Sequence, residues 1–200
     1  MDVIGAAVAG ARPAGQVLTG GMAYPEEMQE IQFQDNRYLY TPGTEAAMRD
    51  TLRELLDAPL PAALRARTDQ IVFTTQPDKD EAYWQDFYNI PGGVVRATAG
   101  KGDVTVYRGL SLRRGTLAHE MAHNLATAVY KSTTPSALSD FAAAARSGEP
   151  PVSVYGAKHP AEDFAEAVRL YVEDPGQLKA RAPRRYSVIS RLMREVGYGG

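Results

Sequence analysis

Of the three histidines in this 200-residue chain, two stand four positions apart, His119 and His123, with Glu120 directly after the first. This spacing constrains the fold more than any other feature. A helix places positions i and i+4 on one face, so both imidazoles reach a single ion. Glu120, roughly a third of a turn on, then stands beside the open position rather than on the metal. The flanks agree with a helix: nothing from Leu117 to Lys131 breaks one, and Thr116 after Gly115 is the expected N-cap. Leu117, Met121, Leu125 and Ala128 fall opposite the histidines and form a back that can be buried. The competing reading is a core helix with two hydrogen-bonded histidines, which leaves the glutamate between them unexplained.

Two histidines and a glutamate in the order H-E-x-x-H are the pattern of zinc peptidases, two ligands and a general base. The chain has no cysteine, so thiolate zinc sites and disulfides are excluded and a metal must sit on histidine and carboxylate ligands. A hydrophobic content of 44% and a net charge of −2 describe a globular chain with a real core. They give no reason to expect nucleic acid or an anionic membrane as partner. No apolar run has the length of a membrane span. The opening segment Met1–Ala11 has an apolar centre, but it carries Asp2 and no Lys or Arg, against the pattern of a signal peptide. Residues 1–24, rich in Gly and Ala, read as a flexible arm or linker, or as the result of a cut inside a longer precursor. Residues 25–200 read as the catalytic domain, expected to be a monomer.

Along the chain, Pro25 to Tyr40 has no firm assignment. Thr44 caps an amphipathic helix to Leu56, with Met48, Leu52, Leu55 and Leu56 as its buried stripe, and Ala62 to Arg67 adds a turn. Gln70–Thr75 is the clearest strand. Tyr83, Trp84, Phe87 and Tyr88 make an aromatic cluster, to be placed in the core or along a substrate groove. Gly93–Thr98 and Asp103–Tyr107 read as two strands joined through Ala99–Gly102. A strand just before the metal helix offers an edge to which an extended peptide adds by main-chain hydrogen bonds; an edge that merely closes the sheet is the plainer alternative. Ser136 to Ser147 reads as a helix.

A catalytic zinc needs a third protein ligand. The candidates are His159, Glu162 and Glu166, the two glutamates on a helix that starts at Pro160 and stops before Pro175. Glu162, Glu166, Arg169 and Glu173 share one face and Phe164, Ala167, Val168 and Tyr171 the other, which on pattern alone suits a solvated surface. Glu162 and Glu166 are, however, like charges at i and i+4, an unfavourable pair that an ion between two helices would reconcile. One would bind the metal and the other would fix a histidine ring.

Tyr155 followed by Glu162-Asp-Phe-Ala-Glu-Ala-Val-Arg-Leu170 resembles the C-terminal signature of anthrax lethal factor-type zinc peptidases, in which a tyrosine precedes the first glutamate by seven residues. The Ala182-Pro183 step and the patterned tail through Met193 are similar too, and the secreted Pro-Pro endopeptidases are relatives of about this size. The resemblance covers roughly residues 116–196; upstream of Asp103 it rests on the order of elements. It implies an α+β, zincin-like fold: a small mixed sheet with an edge strand beside the metal helix, and a C-terminal helical half carrying the third ligand. It implies Zn²⁺ held by His119, His123 and Glu162, with Glu120 as general base, Tyr155 as donor to the oxyanion and Glu166 behind the ligands. His159 lies outside the pattern and reads as a surface or cleft-rim residue. The implied activity is that of a zinc endopeptidase acting on an extended protein or peptide, secreted or delivered as an effector. The alternative, from another class, is a non-catalytic binding or assembly module of a larger toxin or particle protein, which would have no use for Glu120.

Overall fold

The computed structural model describes residues 12–13, 18–19, 22–23 and 27–195, so most of the expected arm over residues 1–24 lies outside the described residues. The chain is α+β and divides into two compact units, residues 1–58 with 69–113, and residues 59–68 with 114–200. Among the described residues no helix is long and apolar enough to cross a membrane.

The first unit is a mixed sheet. Its strands of four or five residues are β1 (Gln29–Phe33), β2 (Asn36–Tyr40), β3 (Gln70–Phe73), β4 (Ala97–Gly100) and β5 (Asp103–Val106). In space they run β1-β2-β3-β5-β4, with Arg12–Pro13 adding a short antiparallel pairing outside β1. β3 lies parallel to both β2 and β5, while β1–β2 and β4–β5 are antiparallel hairpins. A strand with parallel neighbours on both sides is buried on both faces, and all four residues of β3 are buried. β4 forms the opposite edge of the sheet, so β5, the strand directly before the His119 helix, is paired on both sides and does not offer the free edge expected of it.

Helix α1 (Glu45–Asp57) supplies the rest of this core through Met48, Leu52 and Leu55, but Leu56 is exposed, correcting the expected stripe. On the other flank of the stripe Thr51 is buried, and its hydroxyl accepts the Leu112 N–H at 3.0 Å. Thr44 occupies the N-cap position, yet its hydroxyl donates to the Thr41 carbonyl instead of capping the helix. The region left unassigned up to Tyr40 is the β1–β2 hairpin, turned through Gln34 and Asp35 with Gln34 at φ 53°. The expected strand over Gly93–Thr98 begins only at Ala97. The β4–β5 turn is Lys101-Gly102, at φ 55° and 90°, the left-handed pair that a two-residue hairpin requires. The aromatic cluster lies on α3 (Glu81–Phe87), which buries none of its residues. Tyr83 and Phe87 are exposed and stack at 5.8 Å, which excludes the core, the first of the two expected placements.

The second unit is helical: α2 (Ala62–Arg65), α4 (Arg114–Tyr130), α5 (Asp140–Ala145), a 3₁₀ turn (Gly156–Lys158), α6 (Pro160–Glu173), α7 (Pro175–Arg181) and α8 (Pro183–Glu195). α4 starts two residues before Thr116, which is therefore inside the first turn and not its cap. The helix expected from Ser136 is shorter and begins after Ser139, whose hydroxyl accepts the Ala142 N–H. α4 packs against α6, and Leu117, Ala118, Met121, Ala122 and Leu125 of the first and Phe164, Ala165 and Val168 of the second are fully buried. Phe164 is closed over by the rings of Phe141 and Tyr130, edge-on at 5.0 and 5.7 Å.

Candidate metal centre

Two helices of the second unit supply the site. On α4, His119 and His123 stand one turn apart with ring centroids 5.2 Å from each other. α6 opens at His159, whose ring Nδ1 accepts the Ala161 N–H at 3.2 Å, with Pro160 in the first turn, where its missing N–H costs nothing. The sequence reading of His159 as a rim residue overlooked this capping role; the ring is half-buried. Glu162 and Asp163 follow within the first turn, where the unpaired helix N–H groups favour negative charge. The whole of residues 161–168 is buried, so the acidic face of α6 is not the solvated face that its pattern allowed; only Arg169 onward emerges.

Glu162 Oε2 lies 3.0 Å from His119 Nε2, and Glu162 Oε1 lies 3.8 Å from His123 Nε2. His119, His123 and Glu162 each offer one ligand atom, all within 4.8 Å of one another, so the group could hold a metal ion. The second nitrogen of His119, Nδ1, is 2.9 Å from Glu166 Oε1. A proton on Nδ1 is then donated to Glu166 while Nε2 faces the ligand cluster, the arrangement by which a neighbouring carboxylate fixes a ligating imidazole. The two like-charged glutamates of α6 are thus reconciled by one ring, a nitrogen facing each. Glu166 also receives the Ser153 hydroxyl, a partner with no signal in the sequence.

Tyr155 sits just before the 3₁₀ turn, its ring centroid 5.9 Å from that of His119 and its hydroxyl hydrogen-bonded to Glu162. Glu120 is half-buried and close enough to His119 and Glu162 to feel both charges. Six of the seven residues singled out in the sequence therefore meet in one place, and His159, a candidate third ligand, is not part of the ligand group.

Burial and charge set the proton affinities. Burial alone lowers the pKa of His119, but its hydrogen bonds to Glu162 and Glu166 and the charge of Glu120 overcome this and raise it to about 10. His123 moves down to about 4 through burial and the charge on His119, with Glu162 opposing. Burial pushes Glu120 up to about 7, against the pull of His119 and with help from Glu162. For Glu166 burial is outweighed by the bonds from His119 and Ser153, which hold its carboxyl below the ordinary value. The Tyr155 phenol is raised, by burial first and then by the charges of Glu162 and Glu120.

Two imidazole nitrogens and a carboxylate oxygen, convergent and largely withdrawn from solvent, are a donor set that could hold a metal ion. No family model matches the chain, and no curated protein matches it either.

Proposed function

We propose that the chain is a zinc-dependent endopeptidase of the lethal factor-like, zincin type. The observation that supports this reading is the convergence of His119, His123 and Glu162, ligand atoms within 4.8 Å of one another, on a point that Glu120 and Tyr155 also face.

Zn²⁺ bound there supplies Lewis acidity, acidifying a water and polarising the scissile carbonyl. The chain's residues do the rest. Glu120 accepts a proton from the attacking water and delivers it to the leaving amine. The Tyr155 hydroxyl donates to the oxyanion that grows as the carbonyl is attacked, releasing its bond to Glu162. Glu166 holds the Nδ1–H of His119, which keeps Nε2 available as a ligand. The substrate is a polypeptide in extended form, and the reading carries with it a secreted or delivered effector.

The test is metal content after zinc loading, together with digestion of a peptide library. One zinc per chain is expected, with cleavage by the wild type and none by Glu120→Gln at unchanged metal content. Normal cleavage by Glu120→Gln, or failure to take up metal, overturns the proposal. Zinc without cleavage of any peptide favours a non-catalytic module.

A further inference from the structure

The segment from Glu149 to Gly156, which carries Tyr155, is fastened to α6 and α8 at successive points. At its start, the Glu149 carboxylate accepts the Arg184 and Arg185 N–H groups at 2.6 and 3.2 Å, satisfying the first turn of α8. The Glu149 carbonyl in turn accepts Arg185 Nη1 at 3.2 Å. Arg185 is 2% exposed. Its Nε and Nη2 both donate to Asp163 Oδ2, at 3.1 and 2.8 Å, and its guanidinium lies 5.9 Å from the Phe141 ring. Asp163 also receives the backbone N–H of Val152. Next, Ser153 accepts the Gly156 N–H at 2.9 Å and donates to Glu166. At the far end Gly156 lies against the helix: a Cβ there would stand 3.2 Å from Asp163 Cα and 3.5 Å from Glu166 Cβ.

Three acids of α6 therefore each hold one residue of the segment: Asp163 holds Val152, Glu166 holds Ser153, and Glu162 meets Tyr155. Val154, between the last two, is left 85% exposed. A buried Arg–Asp–Glu group is an expensive way to stabilise a fold, since apolar residues of similar volume often do as well or better. Its worth lies in direction: a planar guanidinium that donates twice to Asp163 Oδ2 and once to the Glu149 carbonyl fixes both the distance and the plane of what it joins.

We propose that Arg185 and Asp163 are positioning residues, which hold the Glu149–Gly156 segment as a prebuilt strap so that the Tyr155 hydroxyl is aimed at the ligand cluster before substrate arrives. The catalytic consequence rests on the peptidase reading above; the prebuilt strap does not.

The test compares wild type, Arg185→Met and Asp163→Asn, the last nearly isosteric in case the first fails to fold. In chelator-treated wild type, the amides of Val152 and Gly156 are expected to exchange slowly, and in both variants quickly, with those of α4 unchanged. In the zinc-loaded protein either variant should lower kcat about 10- to 100-fold at constant zinc content and little-changed KM, the usual cost of removing a supporting partner. On a Tyr155→Phe background the same substitutions should cost almost nothing further, because the effect runs through that hydroxyl. Fast exchange in the wild type, or unchanged exchange in the variants, overturns the strap whether or not the protein cleaves peptides. A full additional loss of kcat on the Tyr155→Phe background overturns the positioning role alone.

Discussion

Glu162 and Asp163 are neighbours on one turn of α6, equally buried at 3% and 6% exposure, and they are neutralised in opposite ways. Asp163 faces Arg185, a cation at every accessible pH, in a group closed further by Glu149. Glu162 faces the imidazoles of His119 and His123, which are cations only when they hold a proton. The first cluster carries its own fixed positive charge. The second has an exchangeable positive partner, and a divalent ion can serve where a proton otherwise does. Adjacent carboxylates thus differ, one tied to a fixed cation and one to partners whose place a metal ion could take.

The largest expected effect falls on the open cluster. His123→Ala should abolish stoichiometric zinc binding and with it all cleavage, whereas Asp163→Asn should leave zinc content at the wild-type level by atomic absorption. Equal metal loss in both would erase the distinction. Next, Glu120→Gln should keep the metal and lose roughly 10²- to 10⁴-fold in kcat, the usual worth of a positioned base. On stability, the closed cluster should dominate: Arg185→Ala strands two buried acids, and urea unfolding should show a loss of about 3–5 kcal/mol.

The pH dependence separates the clusters further. After chelation, His119 has a folded pKa of about 10 against an ordinary 6.5, so the folded state holds the extra proton between these values. Its stabilisation is complete below pH 6.5 and is lost as pH rises through about 10, with a slope of up to ~1.4 kcal/mol per pH unit. Glu120, raised to about 7, steepens the fall only at the low end of that range. Thermal melts of chelated protein should therefore decline from pH 7 to 9.5. In zinc-loaded protein the decline should disappear, and titration calorimetry at pH 7.5 in buffers of different ionisation enthalpy should show about one proton released per metal bound. A flat profile after chelation would mean that His119 is neutral. The smallest effect is at the cap: His159→Ala removes the acceptor for the Ala161 N–H and should cost about 1 kcal/mol or less in denaturant, with metal content unchanged.

What could be read from the chain divides along similar lines. α4 and α6 were legible because apolar periodicity and the spacing of His119, His123, Glu162 and Glu166 all speak the same 3.6-residue period. The burial of both faces of residues 161–168 was not, because it comes from packing, which a helical wheel does not contain. The β1–β2 hairpin escaped notice because Gln34 takes a left-handed conformation without the glycine that usually announces it. Val94 and Val95 drew the expected strand four residues early, whereas the turn at Lys101-Gly102 sets the register. Tyr83 and Phe87 looked like core by composition, and composition does not say which side of a short helix has a partner. Arg185 was the least visible: in Pro183-Arg-Arg nothing distinguishes the buried guanidinium from its exposed neighbour.

Trp84, the chain's single tryptophan, belongs to the aromatic helix of the sheet-bearing unit. Its emission therefore reports that unit, while a metal ion loaded at the candidate centre would report the other. Following both signals through one denaturant series would show directly whether the two units melt together or in sequence.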